Sequence, residues 1–93
     1  MKIYQSRSFG NKVKRLSKQE KETLDEEIKK IAENPLIGEE KKGDLRGVYI
    51  YKFKIKTIQY LLSYRMMKDV LELIMIDPHE NYYRDLKSYL KRR

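Results

Sequence analysis

The apolar positions of the first third of the chain recur with the spacing of helices. Phe9, Val13 and Leu16 stand at i, i+4 and i+7, so they share one face of a first helix. Ser17, followed three residues later by Glu20, has the pattern of a capping box, in which two side chains satisfy the free backbone donors at a helix N-terminus. The pattern therefore predicts a second helix that begins just after Ser17.

The second helix should pack against the rest of the protein by one side only. Its apolar residues form a single stripe, and lysines and glutamates fill the other faces. The stripe consists of Leu24, Ile28, Ile31 and Ala32. The helix should end at Asn34, because the residue before Pro35 is pushed out of the α region. Residues 35–47 hold three of the four glycines and are predicted to form a connecting loop.

The period changes to two after residue 47, which indicates β-strands. In "VYIYKFKI" an aromatic and apolar face alternates with a face that carries Lys52 and Lys54. "TIQYLLSYRMM" alternates in the same way, and a tight turn at Lys68-Asp69 leads into "VLELIMI". That last run is apolar on both faces, which is typical of a central strand. A short strand, "KIYQ" at residues 2–5, is predicted before the first helix.

The stretch "DPHE" at residues 77–80 has the pattern of a helix start. Asp is a preferred N-cap, Pro is preferred at the first helical position, and Glu80 would complete a capping box. The final helix is therefore predicted to begin at Pro78, with Tyr83 one turn beyond His79 on the same face. His79, the only histidine, is either a tolerated polar residue of a first turn or a group that transfers protons.

These elements predict one domain over residues 1–93 of the α+β class. We expect a small antiparallel β-sheet with two N-terminal helices packed on one face and a short C-terminal helix, the other face being partly open. A chain of 93 residues has room for one hydrophobic core.

The charge of the chain narrows the class of partner. Lys and Arg number 22 against 14 Asp and Glu, a net charge of +8, which attracts nucleic acid or an acidic protein. A Lys-rich surface that serves only solubility is the alternative. With no cysteine and one histidine, the chain offers neither a thiolate site nor a protein-only zinc site. No apolar stretch approaches the roughly 20 residues that span a bilayer, so a cytoplasmic protein without a membrane partner is expected.

Lys52 and Lys54 are the strongest candidates for binding a phosphate. Two residues apart on one strand face, their side chains lie roughly 7 Å apart. This spacing suits successive phosphates, but paired lysines also protect an outer strand against aggregation. No Gly-rich phosphate loop is present, since "GEEKKGDLRG" lacks the P-loop spacing.

Four short motifs, in their order and spacing, resemble the RelE/ParE superfamily of toxins from type II toxin–antitoxin systems. They are the helix end "ENPLIG" at 33–38, the turn "GDLRG" at 43–47, the strand "YLLSY" at 60–64 and the ending "HENYYRDL" at 79–86. The resemblance covers nearly the whole chain. It implies the RelE-like fold and a cognate acidic antitoxin, encoded in the same operon, that covers the basic surface.

RelE-like members of this superfamily cut mRNA on the ribosome without a metal or any other cofactor. The resemblance therefore implies an endoribonuclease (an mRNA interferase) that uses the 2′-OH of the RNA as nucleophile and inhibits translation. The catalytic residues would be Lys52, Lys54, His79 and Tyr83. Further basic residues expected to bind nucleic acid are Arg46, Lys56, Arg65 and Arg84.

The chain departs from the RelE-like pattern after Tyr60, where Leu61 replaces an arginine that stabilises the transition state. Arg65 lies on the same strand face but roughly 13 Å farther along, so it is a poor substitute. ParE-like members share the fold and act on DNA gyrase without cutting RNA. A gyrase inhibitor and an inactive toxin-fold protein that binds nucleic acid therefore stay open as alternatives.

Overall fold

The computed structural model of the protein describes residues 2–78 and 82–91. Its elements along the chain are β1 Lys2–Gln5, α1 Arg7–Lys14, α2 Lys18–Glu33, β2 Glu39–Glu40, a 3₁₀ turn Gly43–Leu45, β3 Tyr49–Ile55, β4 Ile58–Met67, β5 Val70–Pro78 and α3 Tyr82–Lys91. Three helices and five strands confirm the predicted α+β class. None of the helices in the described ranges is long and apolar enough to cross a membrane.

The five strands form one sheet in the order β1-β5-β4-β3-β2. β2, β3, β4 and β5 pair antiparallel, through two-residue turns at 56–57 and 68–69 between the three long strands. β1 pairs parallel with β5, so the sheet is mixed rather than wholly antiparallel. Two helices and the strands β2, β3 and β4 separate β1 from β5 along the chain, so the two neighbours are not joined by a tight hairpin turn.

α1 and α2 cover one face of the sheet, as the apolar stripes predict. Their buried residues pack against Phe53, Tyr64 and neighbouring side chains of the three long strands. The predicted capping box is confirmed, with Ser17 and Glu20 each accepting a backbone N–H of the other. Ser6 caps α1 and also donates to the carbonyl of Ile74 at 2.5 Å, which ties the start of α1 to β5.

α3 packs on the opposite face of the sheet, which is therefore more covered than the sequence suggested. Its buried residues Tyr82 and Leu86 contact Leu61 and Ile74 within a second core. The Tyr82 hydroxyl lies 2.8 Å from both Ser63 Oγ and the Met75 carbonyl. Burial raises the pKa of Tyr82 far above its ordinary value, so the hydroxyl stays protonated and holds α3 to β4 and β5.

The prediction that the last helix begins at Pro78 is wrong. β5 continues through Pro78, with Asp77 opposite Leu61 and Pro78 opposite Tyr60. The Asp77 carboxylate lies 2.8 Å from the Lys12 ammonium. Asp77, which was expected to cap the helix, is therefore held in the strand by its pairing with Leu61 and by its ion pair with Lys12. His79 and Glu80 lie outside the described residues.

Tyr64 explains the spacing of the helix-end motif at residues 33–38. Its hydroxyl donates to the Pro35 carbonyl at 2.6 Å and accepts the Gly38 N–H at 2.9 Å. A Cβ added at Gly38 would lie 2.7 Å from that same oxygen. The proline and the glycine thus place the chain after α2 against the sheet, where it enters β2.

Candidate nucleic-acid interface

Lys52 and Lys54 are both exposed, on the face of β3 that also carries Ile50. Ile50 is buried in the core beneath α3, whereas the two lysines lie beyond it towards the end of the strand. Their cross-strand partners on β4 are Leu61 and Gln59. Both lysines are therefore accessible on one strand face, and their joint binding of a phosphate stays a prediction.

A third lysine, Lys41, which was not predicted from the sequence, extends this basic surface. Lys41 forms an ion pair with Glu39, and its ammonium lies 5.1 Å from the centroid of the Tyr83 ring. Cation–π contact of this kind favours the charged lysine. The hydrogen bond to Glu39 raises the pKa of Lys41 further above its ordinary value. Tyr83 thus contributes to a cationic surface rather than to the core alone.

Glu39 links Lys41 to Lys52. It pairs with Ile50, two residues from Lys52, and the hydrogen bond from Lys41 lowers the pKa of Glu39, with the charge of Lys52 acting in the same direction. The edge strand β2 thus places Glu39 within the field of both Lys41 and Lys52, and Lys41 in turn contacts Tyr83. In the sequence, Lys41 stands in a polar loop between Gly38 and Gly43, which indicates exposure only. Its contact with Tyr83 depends on where α3 packs.

The other predicted basic residues are dispersed. Arg46 is exposed after the 3₁₀ turn, and Lys56 stands in the β3–β4 turn, with φ +58°, in a depression beside α2. Arg84 is exposed on α3, 3.6 Å from Asp85. Arg65 Nε donates to Glu72 at 2.6 Å, and Glu72 is only 4% exposed. The structure does not bring these four residues into one cluster, and their role in binding nucleic acid stays a prediction.

Leu61 is fully buried and occupies the place between two charged neighbours. It is in register with Lys52 on β3 and with Asp77 on β5, and it contacts the core beneath α3. The described part of this face therefore has no cation between Lys52 and Asp77, where the RelE-like pattern has an arginine.

Residues 3–87 match the sequence profile described as the ParE-like toxin of type II bacterial toxin–antitoxin systems. The chain belongs to this toxin family. Among curated proteins, none matches the toxin by sequence. A toxin of a type II system has an antitoxin as its partner.

Three solved structures of toxins, two of them containing E. coli RelE, share the fold of this one. The E. coli RelBE toxin–antitoxin complex aligns with a TM-score of 0.68 at 20% identity, over 85% of this chain and 96% of that one. A YoeB/ParE toxin from Agrobacterium tumefaciens gives 0.67 at 23% identity, over 85% and 99%. A free mutant of E. coli RelE gives 0.70 at 19% identity, over 98% and 95%. At these identities the comparison establishes the RelE-like fold.

Proposed function

We propose that the toxin is a metal-independent endoribonuclease that cuts mRNA on the ribosome and so inhibits translation. The observation that carries the proposal is the exposed pair Lys52 and Lys54, extended through Glu39 by Lys41 and Tyr83. Pro78, in register with Tyr60 and so with Phe53 of β3, directly precedes His79. Pro78, the last residue that the structure describes before 79–81, therefore lies about 10 Å, or two strand spacings, from the strand that carries both lysines.

The proposed reaction uses the RNA itself as nucleophile. The 2′-oxygen bonds to the adjacent phosphorus, the bond from phosphorus to the 5′-oxygen breaks, and the products are a 2′,3′-cyclic phosphate and a 5′-OH. One proton leaves the 2′-OH and another must reach the departing 5′-oxygen. His79 is the group whose ordinary pKa suits this transfer, and Lys52 and Lys54 would neutralise the dianionic transition state. Tyr83 would stack on a base or orient His79.

Brief induction of the toxin followed by primer extension on cellular mRNA tests this proposal. Wild type should produce discrete stops in translated messages. Lys52→Gln/Lys54→Gln should weaken the stops by about 10²–10³-fold, since it removes charge from the transition state, and His79→Ala should abolish them. Lys18→Gln/Lys29→Gln, on the exposed surface of α2, removes the same charge and should cut normally. Uncut mRNA during wild-type growth arrest would refute the nuclease.

Inhibition of DNA gyrase is the second candidate, and the burial of Leu61 favours it. A toxin without a cation at that position lacks one group that a nuclease of the RelE-like pattern would use. The discriminating assay is supercoiling of relaxed plasmid by purified gyrase, together with the SOS response after induction. Loss of supercoiling with intact mRNA would support gyrase as the target. Induction without growth arrest would instead favour an inactive toxin-fold protein that binds nucleic acid.

The antitoxin is proposed to be acidic and encoded in the same operon. A net charge of +8 favours an acidic segment that folds as it binds. This segment would cover the surface that carries Lys41, Lys52 and Lys54, called the lysine surface below. Co-expression of the neighbouring reading frame should restore growth, and the purified pair should dissociate more readily as salt increases. An antitoxin of basic charge would contradict this interpretation.

A further inference from the structure

A cleft of about 430 Å³ lies between α1 and the end of β5, outside the lysine surface described above. One wall is formed by α1, which contributes Arg7, Asn11 and Lys12 among others, and by Arg15 at its C-cap. Asp77 of β5 and Tyr89 of α3 form the other side. Three cations thus face one carboxylate and one aromatic ring.

The cations of the cleft are regularly spaced. Arg7, Asn11 and the C-cap residue Arg15 recur every four residues, which puts them on one side of α1 and its end at steps of about 6 Å. Asp77 is already bound to Lys12 at 2.8 Å. Neither Arg7 nor Arg15 has a carboxylate within ion-pair distance among residues 2–78 and 82–91. Arg7 and Arg15, whose backbone positions are about 12 Å apart along the helix, can therefore each bind an external anion.

We propose that this cleft binds single-stranded RNA next to the linkage held by Lys52 and Lys54. Arg7 and Arg15 would each contact a phosphate, and Tyr89 would supply the ring on which a base stacks. A positively charged groove with an aromatic side chain is the usual way in which proteins bind single strands without reading sequence. The inference rests on the proposed function, because it takes RNA as the substrate.

Two observations favour RNA over an acidic peptide. Asp77 is in register with Leu61 and Lys52, so the cleft lies about 10 Å, or two strand spacings, from Lys52, and a strand of RNA that passes around α3, which covers Leu61, can reach both. A disordered acidic segment must bury apolar surface in order to fold on its partner. In this cleft only Tyr89 offers an apolar surface of useful size, whereas the other side chains named are charged or polar.

Fluorescence anisotropy with a labelled, fully 2′-O-methylated RNA oligomer tests the proposal, since this probe binds but is not cut. The dissociation constant of the full-length toxin is measured over a salt series. Arg7→Gln/Arg15→Gln should lower the slope of log K against log salt by about 1.4, or 0.7 for each phosphate that the variant no longer neutralises. Lys18→Gln/Lys29→Gln removes the same charge elsewhere and should leave the slope unchanged.

Two further variants probe the remaining groups of the cleft. Asp77→Asn removes its carboxylate and should strengthen RNA binding. Tyr89→Ala should weaken binding by about tenfold, whereas Tyr89→Phe keeps the ring and should bind as wild type does. Melting curves of all variants establish that each is folded at the assay temperature.

Equal slopes for the arginine and lysine double variants would overturn the proposal, as would the absence of RNA binding by the wild type at about 50 mM salt. The proposal would also be overturned if Arg7→Gln/Arg15→Gln weakened binding of a labelled poly-glutamate peptide but not binding of RNA. That result would identify the cleft as a site for an acidic protein. Primer extension separates this result from the proposed function. If RNA binding depends on Arg7 and Arg15 but mRNA is not cut, the nuclease proposal is wrong and the RNA-binding cleft is supported. If mRNA is cut but the two double variants have equal salt slopes, the nuclease proposal is supported and the RNA-binding cleft is wrong.

Discussion

Restoring the missing cation, by Leu61→Arg, should unfold the toxin rather than activate it. Leu61 has no exposed surface and packs in the core with Tyr82 and Leu86 of α3. The nearest carboxylate in register is that of Asp77, which is bound to Lys12. Within residues 2–78 and 82–91, an arginine at this position therefore has no unoccupied carboxylate in register with it.

The cost can be worked out from the burial of Leu61. Complete burial of a leucine contributes about 1.5–3 kcal/mol, which the substitution forfeits. An uncompensated charge in a core costs about 3–5 kcal/mol. Domains of this kind are stable by about 5–15 kcal/mol, so the loss is a large fraction of the total. At 4–8 °C per kcal/mol, even a 3 kcal/mol loss lowers the melting temperature by about 12 °C or more.

Circular dichroism melting and primer extension on the same variants provide the assay. Leu61→Met keeps the volume and should cost less than about 1.5 kcal/mol. Gln59→Arg adds the same charge two residues away, at an exposed position of the same strand face, and should change stability by about 0.5 kcal/mol or less. If Leu61→Arg melts like wild type and cuts mRNA faster, α3 does not cover this position and the argument from burial fails.

Three further substitutions test other parts of the fold. Gly38→Ala should lower the melting temperature by about 8 °C, because its Cβ would meet the Tyr64 hydroxyl at 2.7 Å, whereas Gly10→Ala, with 3.6 Å of clearance on α1, should leave it unchanged or raise it. Tyr82→Phe should cost about 1 kcal/mol in urea unfolding, and an unchanged midpoint would contradict its two hydrogen bonds. Burial raises the pKa of Tyr51 to about 12, and its hydrogen bond to Glu27 adds to this. The folded state then keeps a proton that the unfolded state loses above pH 10, so stability should fall between pH 10 and 12 and fall less in Tyr51→Phe, as followed by urea midpoints.

Most of the elements could be predicted because their signals are local. The capping box of Ser17 and Glu20, the stop at Asn34 and the alternation along β3 each depend on residues within a few positions of one another. Burial then follows the predicted faces, with Phe53 inside and Lys52 exposed. Such patterns survive folding because the sheet and helices impose the periods that the sequence already carries.

The features that could not be predicted depend on contacts between distant residues. The "DPHE" pattern is a sound local cap, but Asp77 is bound by Lys12, 65 positions earlier, and stays in the strand. β1 has four residues and no pattern that distinguishes parallel from antiparallel pairing. The contact of Lys41 with Tyr83 requires α3 to lie across the second face. No periodicity reports which face a terminal helix will cover.

The packing of α3 links stability to the charge available for a phosphodiester. Because the helix covers Leu61, the described positive charge next to it comes from side chains around it, among them Lys41, Lys52 and Lys54. Glu39 neutralises part of that charge through its ion pair with Lys41. The field at the surface is therefore set by these lysines and by the position of Tyr83. Any change that loosens Tyr82 from β4 and β5 will move Tyr83 as well, so loss of stability and loss of activity should go together along this helix.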